Sequence, residues 1–502
     1  MQIGKSLDRA VTSDHYVGEV DGPSPVAIAY QYRSGERLDR GHGPARQLYI
    51  RQPADEPGVE FPAGKAVIGA SHDEPGLQPQ VSAHRLHHRS VQGSDAGGQE
   101  GGEYELASRH RGAHNDGLPK DRPVDVVVVG GGIIGASLLH WLAASGLRVV
   151  LLERGELAAG ASGRNAGFLL AGVASNYAQA IGTYGRERAR ALWELTRHNI
   201  AALAAVLAPH EVGYSQRGSW AVPVSSAELG ELEESAQLLR DDGFNAVWDP
   251  RPPDYLRRYQ ASGLGTESAG GALLNPDDGE LDAAAATRAL AAAAVEAGQG
   301  RVTLQAGVRV MELDAGADSV QVRTAAGVVH PSRVILATNA YTSQVFDGAP
   351  IEPVRGQMLA TAPLSTALAE RPVYSNRGFR YWRQLSDGEL LLGGWRDAAI
   401  EEEVGFEEAP THDIQRRLDA HLQTFLGDGR VNRRWAGTMG FTRDRLPLVG
   451  PLPGREAILL CGGYSGHGLG LAFVAAELLA RHLTEGAAVP SWLLPARFLA
   501  AE

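Results

Sequence analysis

The stretch that most constrains this chain is residues 125–153, DVVVVGGGIIGASLLHWLAASGLRVVLLE. Val126 to Val129 are four β-branched residues in a row with no alternation, the pattern of a strand buried on both faces. Gly130, Gly132 and Gly135 then follow at G-x-G-x-x-G spacing. Ile133 to Ser145 read as the next helix, and Arg148 to Leu152 as a second buried strand. Glu153 ends that strand about twenty residues beyond the glycines, where a dinucleotide fingerprint carries its acid. Each residue has an expected task. Gly130 makes the tight turn, Gly132 lets a pyrophosphate approach the backbone, and Gly135 lets the helix lie on the strand. The helix start at Ile133 and Ile134 offers free N–H groups and a partial positive charge to phosphate. Glu153 accepts hydrogen bonds from ribose hydroxyls, and its charge disfavours a 2′-phosphate; Arg154 follows it on the same edge.

Composition sets the class. A chain of 502 residues has a soft prior of about three domains, and 43 % apolar with 21 % charged residues is globular. A net charge of −12 argues against a nucleic-acid partner, which wants a basic face. The lone cysteine, Cys461, excludes a disulfide framework, a cysteine-rich zinc site and an iron–sulfur cluster, and fits a reducing, cytoplasmic setting. No apolar run of 18 residues exists, so no membrane span is expected, and the first twenty residues lack the apolar core of a signal peptide.

Residues 1–120 differ from the rest. They are rich in Gly, Pro, Asp, Gln and Arg without sustained periodicity, and disorder is expected because such composition buries too little apolar surface. All the lysines (Lys5, Lys65 and Lys120) lie in this segment, which is either a genuine tail or a stretch translated from an early start site. His84, His87 and His88 lack the carboxylates or cysteines that would complete a metal set, so no metal is expected.

After the fingerprint comes GELAAGASGRNAGFLL, residues 155–170. A loop so rich in small residues lets a flat ligand approach the backbone, and Ser162 and Arg164 are placed to hold phosphate or carbonyl oxygens of that ligand. At this point the sequence resembles the superfamily of FAD-dependent amine and D-amino-acid oxidases, close to the γ-glutamylputrescine oxidase and glycine oxidase branch. The resemblance implies non-covalent FAD, with Ala161, Ser162, Arg164, Asn165, Ala166 and Gly167 running from the pyrophosphate toward the flavin ring. It implies that the Val308 backbone meets the adenine and that Ala337 and Thr338 close over the dinucleotide. The segment WAGTMGFTRDRLPLVG…GGYSGHGLG, within residues 435–483, matches the family's C-terminal signature. Gly463, Gly466, Gly468 and Leu469 would bring a second helix start to the flavin pyrimidine ring. Relatives with covalent flavin have an attachment residue where Gly437 stands here, hence the non-covalent expectation.

Further along, residues 184–208 read as a long amphipathic helix, Ser219–Val224 as a strand and Glu228–Asp241 as a helix. Asp282 is placed to cap an alanine-rich helix. Val302–Leu304, Val308–Leu313, Val320–Thr324 and Val334–Thr338 read as short strands. PVRGQMLAT, residues 353–361, matches the family's crossing into the substrate domain, and residues 379–395 read as a hairpin turning at Ser386–Gly388. The expected fold is α/β. A discontinuous Rossmann-type FAD domain comprises 121–175, 267–345 and 432–486. An inserted antiparallel-sheet substrate domain comprises 176–266 and 346–431, with a tail from 487 to 502.

The family transfers hydride from substrate to flavin N5, so the expected enzyme is a flavin oxidoreductase of CH–NH donors. Its substrate is a small amine or amino-acid-like molecule, and O2 or another acceptor reoxidises the flavin. Tyr381, alternating with Trp382 on the hairpin, faces either substrate or solvent, and the exposed-strand location is the common one for Arg383. His467 is either a cation beside the flavin or a loop-packing residue. Sarcosine-oxidase-like relatives use a lysine near N5, and none exists beyond Lys120. Amino-acid-oxidising relatives carry an arginine before the T-x-D-x-x-P segment, where Met439 and Phe441 stand here. This departure favours an amine, or a carboxylate held by another arginine such as Arg383. The alternatives are a flavin dehydrogenase of 2-hydroxy acids or glycerol phosphate, and a flavoprotein without turnover that passes electrons to a partner.

Overall fold

The computed structural model describes residues 123–261, 270–315, 320–426 and 429–498. The disorder expected for residues 1–120 lies outside the described residues, as do the three lysines and His84, His87 and His88.

Val126–Val129 runs through the middle of a six-stranded sheet. Arg333–Leu336 and Val149–Glu153 flank it in parallel. Beyond them lie Arg455–Gly462 and Val302–Ala306, also parallel, and Leu448–Leu452 closes one edge antiparallel. The absence of alternation in the first strand now has its cause. Val126 and Val128 pack among residues of three helices, Ile133–Leu142, Ala283–Ala297 and Gly468–Glu485. Val127 and Val129 pack on the other face with Val310, Val320 and Val322 of a three-stranded meander. Both faces are covered, so every position is apolar.

A second sheet of eight strands runs Val431–Phe441, Glu352–Thr361, Leu390–Gly394, Arg380–Gln384, Val373–Ser375, Ser219–Val222, Ala272–Asn275 and Val247–Asp249. All its pairings are antiparallel except that of Val373–Ser375 with Ser219–Val222. Helix His412–Leu426 seals one face through Ile414, Leu418 and Leu422, which meet Leu359, Leu390 and Leu392. The opposite face carries Met358, Ala360 and Leu391, which pack with Ala166, Phe168 and Tyr381.

Several elements depart from expectation. The helix expected over 184–208 is Arg186–Leu207, and a further helix that the sequence reading did not include, Tyr177–Tyr184, precedes it across Gly185 at φ 81°. The strand expected from Val308 starts at Val310. Ala272–Asn275 and Val431–Phe441, both assigned by sequence to the dinucleotide half, are strands of the second sheet. Strand pairing is a long-range choice, and nothing in their composition marks the sheet they join. Residues 487–498 are not a loose tail: Leu493 is buried and Arg497 pairs with Asp444 at 2.8 Å. Arg383 is not on an exposed face. It is buried, and it donates to Glu280 at 3.3 Å and to the Leu281 carbonyl at 3.0 Å.

Candidate cofactor and substrate cavity

The two sheets share one cavity of about 530 Å³, within the usual range for a ligand site. One end is built by the fingerprint. Gly130 has φ 114°, and a Cβ there would lie 2.8 Å from the Ala337 carbonyl oxygen, so the turn requires glycine. Helix Ile133–Leu142 begins at Gly132 with no side-chain cap and no acid in its first turn. Its first N–H, on Ile133, donates to the Ser162 hydroxyl at 2.8 Å, so an oxygen already occupies the position that suits an anion. Glu153 closes the far corner, its two carboxylate oxygens accepting from Gly131 N–H at 2.6 Å and Gly155 N–H at 2.7 Å. That fixes the carboxylate while each oxygen keeps a further lone pair for a ligand. The Val308 N–H donates to the Glu153 carbonyl at 2.8 Å and ties the meander to this corner.

The middle of the cavity is clasped by side chains. Arg164 donates to Glu408 at 2.5 Å, to the Ala436 carbonyl at 3.2 Å and to the Ala159 carbonyl at 2.9 Å. The Tyr341 hydroxyl donates to the other Glu408 oxygen, and the Arg154 guanidinium lies 4.2 Å from the Tyr341 ring centre. Arg164 therefore joins the GASGRNAG segment to the second sheet and to the 396–411 connection.

The other end is aromatic. Tyr374 and Tyr381 stack at 6.1 Å between ring centres, and Phe168 meets both. Burial pushes the Tyr381 phenol up to about 12 and the Tyr374 phenol higher still, so both remain protonated donors at any ordinary pH. A second helix, Gly468–Glu485, starts at this end, again with no side-chain cap and no first-turn acid. Its N-cap His467 meets Tyr374 edge-on at 6.0 Å. Burial pulls the imidazole down to about 4, so His467 is neutral near pH 7 and does not supply the cation that one of its two sequence readings assigned to it. Its Nδ1 is buried without a hydrogen-bond partner. An unsatisfied polar atom on a cavity wall is the mark of a place a ligand completes.

Most of the sequence-selected residues line this one cavity: Gly130, Gly132, Ile133, Ile134, Glu153, Arg154, Ala161, Ser162, Arg164, Asn165, Ala166, Val308, Ala337, Thr338, Tyr381, Gly466, His467, Gly468 and Leu469. Three do not. Gly135 packs its helix against the Gly130 carbonyl, Gly167 packs under the Arg383 guanidinium at φ 75°, and Gly463 donates its N–H to Asn339 Oδ1 at 2.8 Å. Their glycine is required by close packing, which a motif does not distinguish from ligand contact. Sequence reasoning missed Tyr341, Tyr374, Phe379, Arg396, Glu408 and Arg445, which also line the cavity. They come from separate strands and connections and share no local motif.

A smaller cavity adjoins the aromatic end and holds Asp278. Asp278 is fully enclosed and accepts from the Ala171 N–H at 2.7 Å and the Ser219 hydroxyl at 2.6 Å. Burial pushes its carboxyl up to about 7 despite those bonds. The unfolded carboxyl ionises near about 3.9, so the folded state holds a proton that the unfolded state loses between these values. Stability should fall as pH rises from about 4 to about 7 and then level off. Asp278→Asn should flatten that part of a Tm-against-pH series; an unchanged slope would refute the assignment.

Two uncapped helix starts, a carboxylate at the end of the second parallel strand and an aromatic chamber under a second sheet define a dinucleotide-binding oxidoreductase. The family described as FAD dependent oxidoreductase (DAO) matches residues 125–482, and the chain belongs to it. Among curated relatives it is 30 % identical over 400 residues to γ-glutamylputrescine oxidoreductase of Escherichia coli, covering 76 % of this chain and 88 % of that one. It is 26 % identical over 418 residues to the probable oxidoreductase OrdL of Haemophilus influenzae, covering 77 % and 91 %. Glycine oxidase from Geobacillus kaustophilus shares the fold, with a TM-score of 0.61 at 22 % identity over 75 % of this chain and 99 % of that one. The protein is an FAD-dependent oxidoreductase by family. Among the described residues no helix is long and apolar enough to cross a membrane, and no cluster of His, Cys, Asp or Glu could hold a metal.

Proposed function

We propose that the protein binds FAD non-covalently and oxidises the C–N bond of a small amine or amino-acid-like substrate. The observation that carries this reading is one cavity that joins two helix starts lacking a cap from their own N-cap residues to an aromatic end of Phe168, Tyr374 and Tyr381. FAD, when bound, supplies the two-electron acceptor for a substrate hydride. Glu153, Gly132 and the Ile133 helix start would hold the adenosine and pyrophosphate portions. The Gly468 helix start would present its positive end to the flavin portion, where negative charge develops on reduction. The aromatic chamber keeps water from the reacting carbon and fixes its orientation. Non-covalent attachment is supported by Gly437, which offers no side chain on the cavity wall, and by Cys461, which is buried away from it. Burial pushes that thiol up to about 12, so it is not a nucleophile at neutral pH.

No lysine follows Lys120, so oxygen, if it is the acceptor, is not assisted by one from the described residues. His467, pulled down to about 4, is too weak a base to take the proton of an ammonium, and the tyrosines are protonated, so the substrate amine is expected to react from its neutral form. The value of kcat/KM should therefore rise about tenfold per pH unit below the free amine's own pKa and level off above it. The decisive experiment is anaerobic reduction followed at the flavin visible band. Bleaching by members of an amine panel is expected. Bleaching by 2-hydroxy acids or glycerol phosphate alone would replace this reading with the hydroxy-acid dehydrogenase. No bleaching by either class would favour a flavoprotein that only relays electrons.

A further inference from the structure

Six arginines line the cavity; Arg309 is an exposed residue beside Val308, and three others are engaged. Arg164 is held by Glu408, and Arg377 by Glu231 at 2.6 Å. Arg154 donates to Gln344 at 3.2 Å and lies over Tyr341. Arg396 is different. It follows Trp395, whose backbone is left-handed at φ 66°. That turn places Trp395 beneath Arg380, 3.5 Å from guanidinium to ring centre, while Arg396 lines the cavity. The Arg396 guanidinium lies between two aromatic rings, 5.0 Å from the centre of Phe379 and 4.9 Å from that of Phe441.

Among the described residues no carboxylate pairs with Arg396. The acid next to it in sequence, Asp397, is used elsewhere: Arg380 donates to it at 2.5 and 3.1 Å and Asn376 at 2.9 Å. The acids that share the cavity are also engaged, Glu153 by two backbone N–H groups and Glu408 by Arg164 and Tyr341. The charge that acts on Arg396 most strongly is of the same sign. Arg445, left-handed at φ 63°, lines the same cavity, forms no ion pair among the described residues, and repels Arg396. Desolvation and this repulsion both weaken the hold of Arg396 on its proton. Two unpaired cations at one end of a cavity, in a chain of net charge −12, are an unbalanced arrangement. A half-buried guanidinium without an acid is costly, and its planar fork matches a carboxylate in two parallel hydrogen bonds. The flanking rings fix the plane of the fork in advance and stabilise its charge.

We propose that the substrate carries a carboxylate in addition to the amine that is oxidised, and that Arg396, with Arg445 lining the same cavity, is the specificity-determining anchor for that carboxylate. The inference rests on the amine-oxidoreductase reading and deepens it. Arg383, the arginine that sequence offered for such a task, is taken by Glu280 and the Leu281 carbonyl and does not line the cavity. Met439, at the position where amino-acid-oxidising relatives carry their arginine, does line the cavity and offers no charge there.

The test uses the full-length flavin-bound protein and needs no turnover. Benzoate and its uncharged counterpart benzamide are titrated separately while the flavin visible spectrum is recorded. Benzoate is expected to perturb the spectrum saturably, and benzamide at least about tenfold more weakly, the discrimination expected when one charge-assisted bidentate contact is lost. Arg396→Met should weaken benzoate binding by about the same factor without lowering flavin content, and Arg396→Lys should restore part of it. Equal response to the two probes in the wild-type protein overturns the proposal, as does unchanged benzoate affinity in Arg396→Met. Should Arg396→Met lose flavin, the wild-type comparison and Arg396→Lys decide by themselves. In the amine panel, amines bearing a free carboxylate should outperform their methyl esters through a lower KM. If no amine bleaches the flavin while benzoate still binds through Arg396, the amine reading fails and the anion site stands.

Discussion

Gly132→Val is expected to yield a folded protein that is purified without flavin, whereas Gly135→Ala is expected to damage the fold itself. The two glycines belong to one motif but meet different neighbours. A Cβ on Gly132 would lie 2.8 Å from Ser162 Oγ, the end of a small side chain that can rotate away. Gly132 lines the cavity at the start of the first helix, so a valine would stand where the pyrophosphate must approach the N–H groups. A loss of FAD affinity on the order of 100-fold, or about 2.7 kcal/mol, is the expected scale. A Cβ on Gly135 would instead overlap the Gly130 carbonyl oxygen, which is backbone and cannot move without displacing the strand. Overpacking of that kind costs about 1–3 kcal/mol, occasionally more, and here it strikes the central strand–helix contact. Far-UV circular dichroism, thermal melting and the ratio of flavin to protein absorbance separate the outcomes. A yellow Gly132→Val protein, or a Gly135→Ala protein with wild-type Tm, would refute the assignment.

Arg355→Met should be the most destabilising single change in the second sheet. Arg355 donates to both oxygens of Glu403 at 2.9 Å, and to the carbonyls of Glu402 at 3.1 Å and Ala409 at 3.2 Å. The side chains are 6 % and 1 % exposed, so removing the cation leaves a buried carboxylate with only Gln357 and Thr411 as polar neighbours. Breaking such a pair from one side typically costs about 3–5 kcal/mol. The damage reaches the site, because the 396–411 connection that Arg355 pins carries both Arg396 and Glu408. The double variant Arg355→Met/Glu403→Gln removes the stranded charge and should recover part of the loss. Urea or thermal unfolding of the three proteins measures this. A single variant within about 1 kcal/mol of wild type, or a double variant less stable than the single, would contradict it.

The same contrast between local and distant partners explains what could be read from the chain. Val126–Val129, the glycines and Glu153 were legible because one βαβ unit satisfies its own requirements within thirty residues: buried strand, tight turn, helix start, acid. Asp282 was legible as a cap because its partner, the Ala285 N–H at 2.9 Å, is three residues away. Val431–Phe441 was given to the wrong sheet because its pairing with Glu352–Thr361 joins segments about eighty residues apart.

By itself, the sequence located the candidate cofactor end of this protein: the glycine turn at Gly130, the acid Glu153, the small-residue segment GASGRNAG and the second helix start at Gly468. Those features act through backbone N–H groups and short-range geometry, which residue type and spacing encode directly. Only the tertiary structure decided the substrate end. It put Tyr374, Tyr381 and His467 on one wall, kept His467 neutral by burial, spent Arg383 on Glu280, and left Arg396 between two phenylalanines without an acid among the described residues. Burial and the pairing of charges depend on which distant segments share a sheet face, and no local pattern carries that information.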